Sequence, residues 1–316
     1  MKVLNAAVVD RLLPIQSAIA AMRRALVLAA RHPAHSPPRS VFSPDGLPGV
    51  LGMMPAYDEE TRLIGAKLVS VMPGNPLAGR PTHQGVVVLM CAETGEVLAT
   101  VDAGAITAIR TPAVSAVATD ALAREDARVL GLLGTGAQAI SHAVALSHVR
   151  ELSEIRVWGR NDSKADVVAG AIVDRISVPA ARASRMRALQ SDIVVTLTDA
   201  AAPLFDPSEI APGSHVNLVG ASSSRLCEAP PEFLRHGRWF ADSRASVLEH
   251  AGEVKRALAI GIDANERLLG DLGQVLMGTI IGRKSAQDVT IFRSIGLGIE
   301  DIIASDVVYR ASLASD

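Results

Sequence analysis

The sequence contains little cysteine and no block of like charge. These two features argue against a zinc-binding protein and against a nucleic-acid-binding protein. Only two cysteines, Cys91 and Cys227, occur in 316 residues, and no group of cysteines and histidines has the spacing of a zinc site. Both cysteines are therefore expected to be small core residues. So little cysteine fits a reduced, cytoplasmic compartment.

Acidic and basic residues are nearly balanced, with 33 Asp and Glu against 31 Lys and Arg. A nucleic-acid-binding protein would carry a basic patch, which this chain lacks. The first residues carry Asp10 and Arg11 too early for a secretory signal peptide. The stretch 129–149 is apolar and long enough to imitate a membrane helix, but its glycines indicate a strand, a turn and a helix. We therefore expect no nucleic-acid partner and no membrane partner.

Length and hydrophobic patterning predict about two folded units. Hydrophobic residues make up 49% of the chain, enough to bury a large core. The first third is predicted to contain a helix at 17–31 and mostly antiparallel strands at 67–72, 86–91 and 97–101. From residue 129 strands and helices alternate, which indicates a parallel sheet covered by helices. The strands predicted for this part are 129–133, 155–158, 193–197, 216–219 and 239–241. A long final helix is predicted at 297–313.

A helix is predicted to begin at Arg110-Thr111-Pro112. Threonine suits the N-cap and proline the first helical position, so Thr111 and Pro112 are assigned to these places. Arg110 would then lie just before a helix N-terminus, where the helix dipole favours an anion.

The strongest functional motif is Gly134-Thr135-Gly136-Ala137-Gln138-Ala139, which follows a predicted strand and opens a predicted helix. This is the G-x-G-x-x-A pattern in the context that dinucleotide binding requires. The first glycine permits a tight turn, the second lets the backbone approach a pyrophosphate, and the small last residue lets helix and strand pack closely. The alternative is a glycine turn kept for packing alone.

The end of the next strand bears on the choice of cofactor. An acidic residue there usually binds the ribose 2′-hydroxyl of NAD. This chain has Gly159-Arg160-Asn161 instead, and Arg160 could bind a 2′-phosphate. The sequence therefore favours NADP(H), with Arg160 and Asn161 as cofactor-binding residues. NAD(H) is the alternative, in which Arg160 is solvated and Asp162 binds the ribose.

Eight motifs in a fixed order resemble the ornithine cyclodeaminase/mu-crystallin family, and together they extend over nearly the whole chain. They are the segments 65–70, 73–75, 82–85, 93–99, 102–113, 134–139, 216–221 and 290–297. The resemblance implies a substrate-binding and dimerisation domain of antiparallel strands and helices, made of 1–112 and 291–316. A Rossmann-type, doubly wound parallel sheet at 113–290 would be inserted in it. It also implies a homodimer whose interface uses the strands at 65–101.

The resemblance implies hydride transfer at the carbon next to the carboxylate of a small amino or imino acid. Lys67 matches the family's catalytic lysine, and Arg39 and Arg110 match its carboxylate-binding arginines. A planar arginine fork suits a carboxylate, and a lysine within an apolar strand has a lowered pKa. The alternatives are structural ion pairs for the arginines and a lysine that reaches solvent from a strand edge. Thr82 and His83 would line the substrate pocket, although His83 could equally be structural.

One departure from the cyclodeaminases concerns Ser222. They have an aspartate at this position, whereas ketimine reductases of the mu-crystallin type resemble this chain in having serine. A serine hydroxyl cannot take a proton from an ammonium group as a carboxylate can. Ser222 is therefore a catalytic-site candidate that argues against ornithine cyclisation. Glu228 matches a family glutamate, but the residues after it depart from the pattern and leave its role open.

The resemblance further assigns Thr111, Val219, Ser294 and Leu297 to the cofactor site; packing or capping is the alternative for Thr111, Ser294 and Leu297. The predicted reaction is NAD(P)H-dependent reduction of Δ1-pyrroline-2-carboxylate or its six-membered homologue to L-proline or L-pipecolate. Two rivals stay open. One is ornithine cyclodeaminase or an alanine-type dehydrogenase, and the other is a non-catalytic NADP-dependent binding protein. No metal is expected.

Overall fold

The computed structural model describes residues 1–314, apart from the side chain of Pro76, and divides the chain into two compact units. Unit 1 combines Met1–Thr111 with the segment that begins at Leu297, and unit 2 is Pro112–Gly296. The C-terminal domain limit expected from the sequence, residue 316, lies with residue 315 outside the described residues. The chain therefore leaves unit 1 once and returns to it near its end.

The described residues form fourteen strands and eleven α-helices. The strands are β1 (Lys2–Leu4), β2 (Ser40–Phe42), β3 (Val50–Asp58), β4 (Leu63–Val71), β5 (His83–Cys91), β6 (Val97–Asp102), β7 (Val129–Leu133), β8 (Glu154–Trp158), β9 (Ala180–Arg182), β10 (Ile193–Thr196), β11 (His215–Leu218), β12 (Arg238–Ala241), β13 (Leu268–Asp271) and β14 (Thr290–Arg293). The helices are α1 (Ala6–Leu12), α2 (Ile15–Arg31), α3 (Ala103–Leu122), α4 (Gln138–Ser147), α5 (Asp162–Ile176), α6 (Arg185–Leu189), α7 (Arg244–His250), α8 (Gly252–Ala259), α9 (Ala264–Arg267), α10 (Leu272–Leu276) and α11 (Gly298–Leu313).

Unit 1 is built on a six-stranded sheet in the order β1-β6-β5-β4-β3-β2. All neighbours are antiparallel except β1 and β6. The turn between β5 and β6 contains Gly95 at a φ of +74°, as a tight hairpin requires. Helix α11 packs on β3, β4 and β5 and also on α2. Every residue of α11 from Gly298 to Asp306 is buried, so this part of the helix covers one face of the sheet.

Unit 2 is a parallel sheet of eight strands in the order β13-β12-β14-β11-β10-β7-β8-β9. From β7 the chain moves outward through β8 and β9, then returns to β10 on the other side of β7. The strand order therefore reverses between β7 and β10. In open α/β sheets, ligands bind outside the carboxyl ends of the strands at such a reversal. The fold class is mixed α/β, with a Rossmann-type parallel sheet and a separate mixed sheet, as the sequence predicted.

Two boundaries differ from the sequence-based prediction. The prediction gave 291–316 to the first domain, but Thr290–Arg293 pairs with β11 and β12 in the middle of the eight-stranded sheet. The chain therefore returns to unit 1 only at Leu297, six residues later than residue 291, where the prediction placed it. The first boundary lies between Thr111 and Pro112, one residue before the predicted limit.

The predicted helix start at residues 110–112 is wrong. Helix α3 begins at Ala103, because the Asp102 carboxylate accepts a hydrogen bond from the Ala105 N–H and caps the helix there. Pro112 lies inside α3, where its ring removes one helical hydrogen bond. Arg110 is therefore in the interior of a helix, and the favourable potential of a helix N-terminus does not apply to it.

Among the described residues, no single helix has both the length and the apolar composition to cross a membrane. The consecutive helices Ala6–Leu12 and Ile15–Arg31 meet those two criteria only as a pair, and they are bent by 89°. The stretch 129–149 is β7, the glycine turn and α4, as predicted.

Candidate active site

Lys67 lies on the buried face of β4. Alternate side chains of a strand point to the same side, and Leu63, Gly65 and Lys67 are all buried. Helix α11 packs against this strand. The Lys67 side chain is 4% exposed, and its Nζ lies 2.7 Å from Oδ2 of Asp301 on that helix. The lysine is therefore enclosed and ion-paired, which rules out a side chain that reaches solvent from a strand edge.

Arg110 approaches the same carboxylate from α3. Its Nε donates to Oδ1 of Asp301 at 3.0 Å, and its Nη1 donates to Oε2 of Glu300 at 3.0 Å. Arg110 is 5% exposed and both acids are fully buried. Asp301 thus bridges two cations, with one oxygen toward each. Removing a partner from such a buried group costs about 3–5 kcal/mol, because a charge is left uncompensated.

The surroundings of Lys67 set its proton affinity. Burial has the largest effect and lowers its pKa, since an enclosed ammonium loses its hydration. Asp301 raises the pKa while Arg110 and Arg39 lower it, and the result is a value of about 8. For Asp301, burial alone would raise the pKa, but the charges of Lys67 and Arg110 lower it below the ordinary value. At neutral pH the pair is therefore an ammonium and a carboxylate.

Three further residues assigned to the substrate pocket also belong to unit 1. Arg39 is half-buried just before β2, His83 opens β5, and Thr82 precedes it. His83 is exposed at its surface, but loss of hydration beside neighbouring protein groups lowers its pKa, and the positive charges of Lys67 and Arg39 lower it further. Arg39 and His83 are therefore close enough to Lys67 to interact with it electrostatically. Thr82 contributes a structural contact, since its carbonyl accepts the Met72 N–H at 2.9 Å.

Sequence reasoning missed the two acids of this cluster. Glu300 and Asp301 occupy the first turn of α11 and are fully buried. A signal was present, because two adjacent carboxylates stand among apolar residues in the segment Gly298-Ile299-Glu300-Asp301-Ile302-Ile303. Buried acids require a partner, so this pattern alone calls for nearby cations.

In unit 2 the glycine motif occupies the reversal point of the parallel sheet. Gly134 follows β7 at a φ of +133°, and a Cβ there would lie 2.7 Å from the carbonyl oxygen of Leu197. Leu197 follows β10, the strand on the other side of the reversal. Only glycine meets both the backbone conformation and the close approach. The predicted role of the first glycine in the turn agrees with this geometry.

The residues after Gly134 fit a phosphate-bearing dinucleotide. A Cβ on Gly136 would meet no atom within 4 Å, so ligand atoms can approach this backbone. Ala137 precedes α4, whose first residue is Gln138, and the free N–H groups of a helix N-terminus favour an anion. The side-chain oxygen Oε1 of Gln138 is enclosed and lacks a hydrogen-bond partner among the described residues. In unit 1 the hydroxyl oxygen of Thr111 is likewise enclosed without a described partner.

The turn after β8 presents an exposed Arg160. Asn161 caps α5, because its side chain accepts the N–H of Lys164 at 2.9 Å. Asp162 is engaged by Arg182, with 2.9 Å between the charged atoms. An open hollow of about 250 Å³ adjoins this turn, and its lining residues are Thr135, Ser163, Lys164, Val167 and Val168. The glycine loop and the start of α5 thus enclose one recess.

Glu228, whose role the sequence left open, is a positioning residue at the carboxyl ends of the strands. Its carboxylate is fully buried and accepts hydrogen bonds from Thr196, from the N–H and hydroxyl of Thr198, and from the N–H groups of Gly220 and Ala221. These donors lie at the end of β10 or beyond β10 and β11. Glu228 therefore fixes the two loops that follow these strands.

Two more buried acids hold the neighbouring loops. Glu253 pairs with the fully buried Arg293 at the end of β14, with 3.2 Å between the charged atoms. Asp242 accepts the N–H groups of Ile295 and Gly296, each at 2.6 Å, and the Ser294 hydroxyl at 3.1 Å. The hydroxyl of Ser294, assigned to the cofactor site, therefore has a structural partner.

The other assigned residues lie in loops or at helix ends. Val219 follows β11 and is half-buried, and Ser222 is exposed in the same loop. Leu297 is buried and provides the N-cap position of α11, where its carbonyl accepts the N–H of Glu300 at 3.2 Å. Lys67, Arg110 and Leu297 thus belong to unit 1, while Ser222, Val219 and Ser294 belong to unit 2.

Comparison with known proteins gives a consistent result. The family model described as the ornithine cyclodeaminase/mu-crystallin family matches residues 1–316. A Δ1-pyrroline-2-carboxylate reductase of Bacillus cereus is 33% identical over 264 residues, which are 83% of this chain and 81% of that protein. The ketimine reductase mu-crystallin of Mus musculus is 33% identical over 261 residues, 83% of this chain and 80% of that protein.

A solved structure with the same fold is the Δ1-pyrroline-2-carboxylate reductase of Thermococcus litoralis in complex with NADH and L-proline. It superposes with a TM-score of 0.95 at 28% identity, over 100% of this chain and 98% of that chain. The likeness therefore extends over both units.

Proposed function

The chain belongs to the ornithine cyclodeaminase/mu-crystallin family and is an oxidoreductase that acts on C=N bonds with a nicotinamide cofactor, and on this basis we propose that it reduces a cyclic imino acid. The substrate would be Δ1-pyrroline-2-carboxylate or its six-membered homologue, and the product L-proline or L-pipecolate. The observation that carries the proposal is the enclosed Lys67, which shares Asp301 with an arginine.

The substrate carries a carboxylate next to an imine, and unit 1 supplies groups for both. Arg39 and Arg110 would bind the carboxylate, since an arginine fork matches its two oxygens. Arg110 is held in place by Glu300 and Asp301, so its guanidinium is oriented before substrate arrives. Such fixed orientation lowers the entropy that is lost in the reaction.

Lys67 would donate a proton to the imine nitrogen. A pKa of about 8 keeps the ammonium mostly protonated at neutral pH while allowing it to release the proton. Bound NAD(P)H would supply the hydride that the imine carbon accepts. The C=N bond then becomes CH–NH, the neutral lysine recovers a proton from solvent, and the Asp301 carboxylate stays charged throughout. His83 would line the pocket beside Lys67.

The residue at position 222 supports reduction over cyclisation. Cyclisation of ornithine needs a carboxylate that accepts a proton from an ammonium group, and Ser222 offers a hydroxyl. Ser222 is exposed in the loop after β11, and no charged partner is described for it that could replace the carboxylate. Thr82, Thr111, Val219, Ser294 and Leu297 are assigned to the substrate or cofactor site only by the family resemblance.

We propose NADP(H) as the preferred cofactor. Arg160 is exposed at the turn after β8, and Lys164, four residues later, lines the recess that adjoins this turn, so two cations are available for a 2′-phosphate. Asp162, the only acid in this turn, is paired with Arg182, which makes it a poorer partner for a ribose hydroxyl. NAD(H) would bind with lower affinity.

We also propose that the protein is a homodimer and that it is located in the cytoplasm. The free cysteines support a reducing compartment.

On the strands at 65–101 and their neighbour β3, large apolar side chains are exposed, notably Met53, Ile64 and Val97. Such side chains on one sheet are suited to an interface. Light scattering with an Ile64→Lys variant tests for the dimer. The wild type should have twice the mass of one chain, and the variant should have the mass of one chain.

The first experiment follows NADPH oxidation at 340 nm with freshly prepared Δ1-pyrroline-2-carboxylate, the six-membered imine, and NADH alongside. We expect turnover that Lys67→Met lowers by about a thousandfold or more, with Lys2→Met, a change at a half-buried strand lysine, as the matched control. Ammonia release from ornithine, or ammonia-dependent NADH oxidation with pyruvate, would instead indicate a cyclodeaminase or an alanine-type dehydrogenase. Cofactor binding without turnover of any of these compounds would indicate a non-catalytic binding protein.

A further inference from the structure

A second cluster of chemically active side chains lies in unit 1, and the proposed reaction does not use it. His32 follows the last residue of α2, and His35 ends the short 3-10 turn Pro33–His35. Glu59 lies in the turn between β3 and β4. Nε2 of His32 is 2.9 Å from Oε1 of Glu59, and Nδ1 of His35 is 3.9 Å from Oε2. One carboxylate therefore faces two imidazoles, with one oxygen toward each.

Two features of this cluster go beyond an ordinary ion pair. Nδ1 of His35 is enclosed, yet it has no hydrogen-bond partner among the described residues. The two imidazole rings stack with their centres 4.9 Å apart. One donor atom from each of His32, His35 and Glu59 lies within 4.8 Å of the others. An enclosed ring nitrogen without a partner costs free energy unless something else binds it.

The neighbouring charged residues leave the Glu59 carboxylate available to bind a ligand together with the two histidines. Asp58 and Glu60 flank it in sequence, and both are bound by Arg24, with 2.7 Å and 2.9 Å between the charged atoms. The two carboxylates that flank Glu59 are therefore each paired with the one guanidinium of Arg24. Among the groups that the structure describes at this turn, the central carboxylate is the one directed at the histidines.

We propose that His32, His35 and Glu59 bind a divalent transition-metal ion of the zinc type. Two imidazole nitrogens and one carboxylate oxygen are donors that zinc and its neighbours favour, whereas Mg²⁺ and Ca²⁺ favour oxygen donors alone. Ligand distances of about 2.0–2.2 Å place tetrahedral donors roughly 3.4 Å apart. The donors here, which lie within 4.8 Å of one another, need to close by up to about 1.4 Å, which rotation of partly exposed side chains allows. Water would complete the coordination.

Such an ion would act as a structural link within unit 1. It would tie the end of α2 and the 3-10 turn to the β3–β4 turn. Ser36 comes next in the chain, and its Oγ accepts the N–H of Ile299 at the start of α11, at 3.2 Å. The bound ion would thus stabilise the segment that connects α2 to the helix carrying Glu300 and Asp301.

The test titrates the full chain with ZnCl₂ in a calorimeter after removal of metal with EDTA, in a Cys91→Ser background because that thiol is partly exposed. We expect one zinc ion per chain, with affinity at least tenfold lower for His35→Gln and for Glu59→Gln. His236→Gln, a change at an exposed histidine in unit 2, should leave binding unchanged. MgCl₂ should give no binding heat.

Thermal unfolding provides the second readout, since an ion that binds only the folded state stabilises it. Zinc should raise the Tm of the wild type and of His236→Gln but not of His35→Gln, with circular dichroism confirming that each variant is folded. If His35→Gln does not fold, Glu59→Gln decides the outcome. Absence of zinc binding by the wild type, or equal binding by the Glu59 and His236 variants, would mean that the cluster is only a histidine–glutamate pair. Imine reductase activity plays no part in either result.

Discussion

The Nζ of Lys67 and the Oδ2 of Asp301 lie 2.7 Å apart, although one residue belongs to an early strand and the other to the last helix. The other oxygen of Asp301 accepts from Arg110 at 3.0 Å. The aspartate therefore controls two properties of the site at once, the proton affinity of the lysine and the orientation of the arginine. Both properties can be measured separately.

Replacement of Asp301 by asparagine is expected to move the pH profile of imine reduction. Lys67 donates its proton only while it is an ammonium, so kcat/KM should fall as pH rises through a pKa of about 8. Asp301 raises that pKa, and its neutralisation should move the falling limb to lower pH. At pH 7.5 the variant should have kcat/KM lower by about tenfold or more.

Glu300→Gln is the matched control for this change. Glu300 contacts Arg110, and no direct contact with Lys67 is described. This variant should raise KM through a looser arginine and keep the alkaline limb in place. An unchanged limb in Asp301→Asn, in a folded protein, would show that Lys67 is not the titrating proton donor.

Substitution of Arg160 by serine tests the cofactor preference. The guanidinium would interact with a 2′-phosphate that only NADPH carries, so KM for NADPH should rise about tenfold or more while KM for NADH changes little. Arg128→Ser, also at an exposed arginine, should change neither value. Equal losses with both cofactors would contradict the assignment of Arg160 to the 2′-phosphate.

A Cβ at position 134 is expected to disrupt the turn at the reversal of the sheet. Alanine there would be held at a φ of +133° with its methyl 2.7 Å from the Leu197 carbonyl oxygen. The strain should lower the free energy of unfolding by about 1–3 kcal/mol and weaken cofactor binding. Gly261→Ala is the control, because it has a positive φ but open space around the Cβ. Urea unfolding and fluorescence titration with NADPH measure the two effects.

Unit 2 is expected to lose stability in mild acid through two buried histidines. Burial lowers the pKa of His142 to about 4 and that of His215 to about 3. The folded state therefore keeps both rings neutral, while the unfolded chain takes up protons below about pH 6.5. Their contribution is complete above that pH and is lost as pH falls toward 4, at up to about 1.4 kcal/mol per pH unit for each ring.

Urea unfolding between pH 7 and pH 4.5 measures this dependence. His142→Gln should flatten the pH dependence, because an amide does not titrate in this range. Its polar atoms can retain in part the contacts of His142 with Gln138 and Ser115. His236→Gln, a change at an exposed histidine of the same unit, is the control and should leave the dependence unchanged. The same slope in wild type and His142→Gln would contradict the prediction.

Much of the fold could be predicted because hydrophobic period and turn residues are local signals. The strand Val129–Leu133 and the glycine turn after it are examples. Helix α3 shows where local signals mislead, since Thr111 and Pro112 look like a helix start but lie inside a helix that Asp102 caps earlier. Strand β3 was not predicted, because Pro55 and Gly52 interrupt its pattern; pairing with β4 on one side and β2 on the other holds it.

The site could be predicted only where its chemistry lies in recognisable motifs. Lys67 and Arg110 came from family-like segments. Their partner Asp301 lies far along the chain, and an acid in an apolar helix does not reveal which cation it will meet. Glu228 was noted without a role, because its function depends on backbone N–H groups of loops that only the folded sheet brings together.

The position of β14 has a consequence for how the chain reaches its native state. This strand lies between β11 and β12 in the sheet, although it comes after both in the chain. A ribosome must therefore release the chain through Arg293 before the gap in the sheet can be filled, and the buried face of β4 must wait still longer for α11. Such long-range pairing slows folding and leaves unpaired strand edges exposed meanwhile. During synthesis the sheet of unit 2 is therefore incomplete until residues 290–293 have emerged, and the sheet of unit 1 is uncovered until α11 has followed.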